Sequence, residues 1–214
     1  MRSESMRTES MRTDWKYALP VIVINALIQP LLIMTDPTPA LTWSIWPLAA
    51  ISLLSLTITS MVVVSAVCLR TTGKYSFKDL TSRLRSRLLP VLLYSIGWLV
   101  LMILGLSLWV IPGLVLLAVT PYLLIAVIEG SRNPITSNFH AIRVGVLRWI
   151  LLLIASAFLV GMTWVASAFM AFFLPPFMGS ALTWIAFGVI GTFVIQMWNR
   201  AWLRAQGTLI PASR

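Results

Sequence analysis

Six carboxylates, Glu4, Glu9, Asp14, Asp36, Asp79 and Glu129, and one histidine, His140, are all the acid–base groups this chain has outside its Lys, Arg, Tyr and Cys side chains. Hydrolytic or transfer chemistry needs such groups in positioned pairs, beside a nucleophile or a metal. No two of the carboxylates share an apolar run, and His140 has no His, Cys or acidic neighbour at ligand spacing. The lone Cys68 cannot close an internal disulfide and fits no metal or redox motif. No phosphate loop or nucleophile signature is present. The residues therefore predict a protein that is not an enzyme, with no catalytic residues, no metal and no cofactor.

The remaining chemistry lies in neutral polar groups set within apolar runs. Asn25 and Gln29 are four residues apart and so share a helix face; Gln196 and Asn199, three apart, do the same. Amides in such places bond across helices. These pairs either clip the first and last spans together or, with Glu129, line a small polar cleft. Glu129 is the only acid at the edge of a span, and the reading for it is an interfacial ion pair with Arg132 rather than a proton site. Ala157, Gly161 and Ala168, and likewise Ala181 and Gly188, form small-residue stripes suited to close helix approach, within one chain or between chains.

What must hold these groups is a membrane. Of 214 residues, 59% are hydrophobic and 10% are charged, and mean hydropathy is +0.92. A soluble domain carries roughly 25% charged residues, because its surface faces water. Apolar runs long enough for a hydrocarbon core of about 30 Å, roughly 20 helical residues, fall near 17–35, 43–69, 89–111, 114–130, 149–173 and 177–199. A five-residue repeat with Met1, Met6 and Met11 in register precedes them. It has no apolar stripe and reads as a mobile cytoplasmic tail, 1–16. The six-helix domain then covers 17–205, and 206–214 is a second cytoplasmic tail.

The net charge of +10 suggests nucleic acid only until it is mapped. All sixteen Lys and Arg residues lie in four places. Arg2, Arg7, Arg12 and Lys16 precede the first span. Arg70, Lys74, Lys78, Arg83, Arg85 and Arg87 follow the second. Arg132, Arg143 and Arg148 follow the fourth, and Arg200, Arg204 and Arg214 close the chain. The turns near 36–42, 111–113 and 174–176 have none. Basic residues near span ends stay on the cytoplasmic side, so six spans with both termini inside explain the whole distribution, and no nucleic-acid partner is expected. Trp15, Tyr17, Trp149, Trp198 and Trp202 fall near inner ends and Trp43, Trp46 and Trp109 near outer ends, as interfacial aromatics do. Trp98, Trp164 and Trp184 lie deeper, as packing residues.

Within KYSFKDLTSRLRSRLLP, residues 74–90, Phe77, Leu80, Leu84 and Leu88 recur at helical spacing, and Ser76 before Asp79 has the spacing of a helix start. The stretch predicts a short amphipathic helix on the inner leaflet that turns in at Pro90. Lys78, Arg83, Arg85 and Arg87 would form its lipid-facing basic patch, and anionic headgroups of the cytoplasmic leaflet would be its partners.

Between Leu89 and Glu129 the apolar sequence is interrupted only by Pro112-Gly113 and Pro121. Two spans joined by a Pro-Gly hairpin fit, the second kinked at Pro121, although 114–130 is short for a full crossing. The run LWVIPGLVLLAVTPYLLIAVIEG followed by SNFHAIR resembles the YciC-type bacterial inner-membrane proteins, and related membrane domains include one attached to some glycerophosphodiester phosphodiesterases. The features that carry the likeness are Pro112, Gly113, Pro121, Glu129 and Arg143, strongest from about 80 to 170. The resemblance implies a polytopic inner-membrane protein and supplies no catalytic residues. The repeated N-terminal tail and short first outer turn depart from that pattern.

The expected fold is thus all-α and polytopic, with six transmembrane helices, a Pro-Gly hairpin between the third and fourth, and an interfacial helix before the third. The expected function is a non-enzymatic scaffold or accessory factor in envelope maintenance, with a membrane-protein partner or further copies of itself. The alternative is a small transporter or permease-like subunit binding a ligand near the hairpin.

Overall fold

The computed structural model describes residues 2–35, 45–71, 76–108, 115–116 and 118–207. Seven helices and no strand occur among them: α1 Arg2–Thr35, α2 Ile45–Thr71, α3 Phe77–Leu108, α4 Leu123–Glu129, α5 Pro134–Val144, α6 Val146–Phe173 and α7 Pro176–Gly207. Four are long and apolar enough to cross a membrane, at Trp15–Leu32, Pro47–Leu69, Val146–Met170 and Pro176–Gly207. The Pro112-Gly113 hairpin, the first outer turn, Trp43, Trp109 and the last seven residues lie outside the described part of the chain.

Three boundaries differ from expectation. The repeat is helical from Arg2 and continuous with the first span, where the residues alone placed a boundary at 16. It holds no Gly or Pro, and Glu4/Arg7 and Glu9/Arg12 stand at the helix-supporting i, i+3 spacing. The basic helix before the third span is not a separate element. It starts where expected, with Asp79 N–H donating to the Ser76 hydroxyl at 3.3 Å, but α3 then runs through Pro90 to Leu108. A proline removes one backbone donor without ending a helix whose neighbours hold it. The fourth run is not one helix: it breaks at Thr120–Tyr122 and resumes as the seven-residue α4.

Two compact units divide the chain, Met1–Ala66 with Ala157–Phe193, and Val67–Ser156 with Val194–Arg214. Burial along the helices is uneven. Every residue of α2 from Met61 to Leu69 is buried, and that segment is apolar all round save for Ser65, as an enclosed helix should be. By contrast only 6% of the Val146–Met170 window of α6 is buried, and its Phe158, Trp164 and Phe169 are exposed. Trp164 is thus not the internal packing residue its position suggested.

In the first unit Gly188 of α7 lies close against α1. A β-carbon there would collide with the Ile22 side chain of α1, so the expectation for this small residue holds. Ala157, Gly161 and Ala168 make no such approach among the described residues of one chain: they are exposed, with open space beside Gly161.

Candidate functional site

The site of greatest interest in the second unit is built around the break at Pro121. Proline has no N–H, and the residue before it is pushed out of helical geometry. A helix interrupted there leaves two carbonyls and one amide without their usual partners. Tyr122 N–H would have gone to Ala118 O and Leu123 N–H to Val119 O. Instead Leu123 N–H bonds Thr120 O at 3.2 Å, and two side chains take the vacated places. Trp149 Nε1–H of α6 donates to Ala118 O at 2.9 Å. Asn138 Nδ2–H of α5 donates to Val119 O at 2.6 Å. Asn138 Oδ1 accepts from Tyr122 N–H at 2.9 Å. Trp98 Nε1–H of α3 donates to the Thr120 hydroxyl at 2.9 Å, which itself donates to Leu116 O.

Asn138 is 1% exposed. It is in place because α5 begins at the Asn133-Pro134 pair, where Asn133 Oδ1 accepts Thr136 N–H at 3.2 Å and Pro134 opens the helix. Tyr122, also buried, stacks edge-on to Trp198 at 5.1 Å and lies 5.8 Å from Trp202. Trp198 Nε1–H donates to the Ser156 hydroxyl at 3.0 Å. Trp198 and Trp202 are therefore core residues of this unit rather than interfacial ones. Cutting the helix after Thr120 turns Tyr122 into that aromatic cluster.

A second feature of this unit is polar. α4 ends in a Schellman turn: Gly130 adopts φ +81°, its N–H bonds Val127 O at 3.1 Å, and Ser131 N–H reaches Ala126 O at 2.9 Å. The Arg87 guanidinium lies against Gly130, where a β-carbon would displace it. Beside it is a cavity of about 370 Å³ lined by Leu69, Asp79, Ser82, Arg83, Ser86, Arg87, Ile128 and Glu129. Arg83 Nη1 is buried and meets no hydrogen-bond partner among the described residues. The basic patch expected at Lys78, Arg83, Arg85 and Arg87 thus separates: Arg83 and Arg87 are half-buried on the cavity side, whereas Lys78 and Arg85 are exposed. Of the expected apolar face, Leu80 is buried, while Phe77 and Leu88 are exposed.

Glu129 joins Arg83 and Arg87 in this cavity, whereas its expected partner Arg132 is exposed and does not line it. It is within hydrogen-bonding reach of the Cys68 thiol. That thiol also faces Asn199 Oδ1 at 3.6 Å, while Asn199 Nδ2 is buried without a partner among the described residues. A further open groove of about 420 Å³, almost wholly apolar, runs along α3 from Leu93 to Leu101 and is also lined by Leu116, Thr120, Leu123, Ile135, Asn138 and Phe139.

Asn25 and Gln29, both 4% exposed, do form a clip. It joins the first helix to the second rather than to the last. Ser55 of α2 donates its hydroxyl to Asn25 Oδ1 at 2.8 Å, Ser52 donates to Gln29 Oε1 at 2.8 Å, and Gln29 Nε2–H bonds Asn25 Oδ1 at 3.1 Å. Ser52 and Ser55 sit one helical turn apart, a spacing visible in the sequence but not matched there to the amides. Gln196 is half-buried and Asn199 fully buried, and Asn199 meets the same Cys68 thiol that Glu129 reaches. Asn138, Trp149, Trp98 and Thr120 were also missed, and the Asn133-Pro134 helix start was the signal that could have placed Asn138.

No group of three or more His, Cys, Asp or Glu side chains that could hold a metal occurs among the described residues. No protein-family model, curated protein or solved structure matches the chain.

Proposed function

We propose that this chain is a non-enzymatic multi-pass protein of the bacterial inner membrane, acting as a scaffold or accessory factor in envelope maintenance. It crosses the bilayer six times with both termini in the cytoplasm, and it is related to the YciC-type proteins through the segment containing Pro121, Glu129 and Arg143. The four long apolar helices support the membrane assignment, and the distribution of Lys and Arg supports the orientation.

One observation carries the choice of scaffold over transporter. Transporters break helices so that freed backbone groups face a ligand cavity. Here Ala118 O, Val119 O and Tyr122 N–H, the groups freed near Pro121, are taken by Trp149 and Asn138. Three threonine hydroxyls of the long helices are likewise turned back on their own backbone, Thr163 to Leu159 O, Thr183 to Gly179 O and Thr192 to Gly188 O. Such satisfied groups lock a packing arrangement and leave little for a solute to bind.

Cysteine accessibility tests this in intact cells. In a Cys68→Ala background, Thr120→Cys and Asn25→Cys are challenged with a membrane-impermeant thiol reagent from each side. Protection from both sides is expected. Labelling of either position, switching between sides with energisation, would establish the transporter reading instead. Reporter fusions after Arg83 and Arg143 should report the cytoplasm, and a periplasmic signal at either overturns the topology.

A further inference from the structure

Two cavities on one helix suggest a specific occupant. Arg83 and Arg87 are four residues apart and face the charged cavity, together with Asp79 and Glu129. Tyr94, Trp98 and Leu101 of the same helix line the apolar one. From Arg83 these positions follow at helical intervals, so they lie along one face of α3. Pro90 stands between the two cavities without ending the helix.

We propose that this face holds one phospholipid with a phosphoethanolamine headgroup. The inference rests on the membrane assignment above and adds a ligand to it. The phosphodiester lies between the Arg83 and Arg87 guanidiniums, which match phosphate oxygens in charge and geometry. Arg83 Nη1, buried and without a partner among the described residues, gains one. The headgroup ammonium meets Glu129 and Asp79.

The balance of charge selects this class. Two guanidiniums and two carboxylates line one cavity. An anionic headgroup satisfies the first pair and is repelled by the second, whereas a phosphate carrying its own ammonium complements both. A quaternary ammonium has no N–H to donate to the carboxylates, so phosphocholine fits less well. This replaces the diffuse attraction to anionic headgroups expected of four exposed basic residues with a discrete site formed by two of them.

Depth agrees with the assignment. At about 1.5 Å per residue, Tyr94 to Leu101 lies about 10–21 Å along α3 from Arg87. The chains of one leaflet occupy about 15 Å, half of a core about 30 Å thick. A headgroup at Arg87 therefore puts its acyl chain at the apolar groove. Outside its own helix backbone, Gly97 on that groove has no atom of the described residues within 4 Å of where its β-carbon would stand, which leaves room for the chain beside the helix.

The experiment is native mass spectrometry of the full chain in detergent micelles, with dioleoyl phosphatidylethanolamine, phosphatidylglycerol and phosphatidylcholine added in turn. Phosphatidylethanolamine should be retained most strongly. Arg83→Gln with Arg87→Gln should weaken that retention about tenfold or more, on the scale of losing one charge-assisted hydrogen bond. Glu129→Gln should narrow the preference for phosphatidylethanolamine over phosphatidylcholine. Lys78→Gln with Arg85→Gln should change little. Gly97→Trp fills the groove without touching a charge and should also reduce retention, which keeps the test decisive if the arginine variant fails to fold. Equal retention of the three lipids by the unaltered chain overturns the proposal, as does unchanged retention in both the arginine and Gly97→Trp variants. Neither result affects the membrane assignment, which fails separately if the chain is recovered from cells without detergent.

Discussion

Two buried fasteners, one in each unit, solve different problems. The Asn25–Gln29 amides bond the side chains of Ser52 and Ser55 across two intact helices. Apart from a long bond from Gln29 Nε2–H to Ser52 O at 3.4 Å, these four polar groups bond one another, and apolar residues of similar shape could replace them. Asn138 instead bonds backbone groups that Pro121 has already stranded. Removing a side chain from the first fastener removes an interaction. Removing Asn138 exposes a pre-existing debt of unpaired buried backbone, and that asymmetry decides which position is indispensable.

The largest effect should therefore come from Asn138→Leu. It leaves Tyr122 N–H and Val119 O buried and unpaired, at about 1–3 kcal/mol each, and unfolding of the purified chain in detergent should show a total loss of about 2–5 kcal/mol. A loss no greater than that of Asn25→Leu would erase the distinction between the fasteners. Next in size is Gly188→Ala, which drives a methyl into Ile22 and should cost about 1–3 kcal/mol by overpacking. Combined with Ile22→Ala, which removes both γ-carbons that the new methyl meets, the loss should be smaller than the sum of the two single changes.

Asn25→Leu should cost about 1 kcal/mol. In a double-mutant cycle with Ser55→Ala the coupling should be about 0.6 kcal/mol and no more than about 1.7, the range of hydrogen bonds between membrane helices. A coupling well above that range would mean that the first fastener also supports stranded groups. The smallest effect, with opposite sign, is Gly161→Ala. It lies in open space on the exposed face of α6 and should gain about 0.5–1 kcal/mol from helix propensity alone. A loss there would reveal a close neighbour, such as a second chain, packed on that face.

The two fasteners also differ in how readily the sequence discloses them. Asn25 and Gln29 stand out because amides four residues apart in an apolar run must share a face. Their partner helix was misjudged, because Ser52 and Ser55 look like ordinary small residues in a span. Asn138 is inconspicuous, an amide in a polar loop. Its role depends on which carbonyls Pro121 frees and on α5 returning to them, and both are long-range facts. Trp198 and Trp202 were misplaced for a related reason: a tryptophan near a span end suits an interface equally well until Tyr122 is known to pack against it. Ser76 and Asp79 were legible because a helix cap is encoded within four residues.

What the residues determined without any fold is the solvent of the chain and the nature of its elements. Composition and apolar run length are additive along a sequence, and they require helices in a bilayer because backbone groups have no water to turn to there. Tertiary structure alone decided that α3 continues through Pro90, that the backbone groups freed at Pro121 are met from two other helices, and that, among the described residues of the basic stretch, Arg83 and Arg87 share a cavity with Glu129. Those outcomes turn on which faces meet across the fold, where contacts of a few ångströms join residues far apart in the chain.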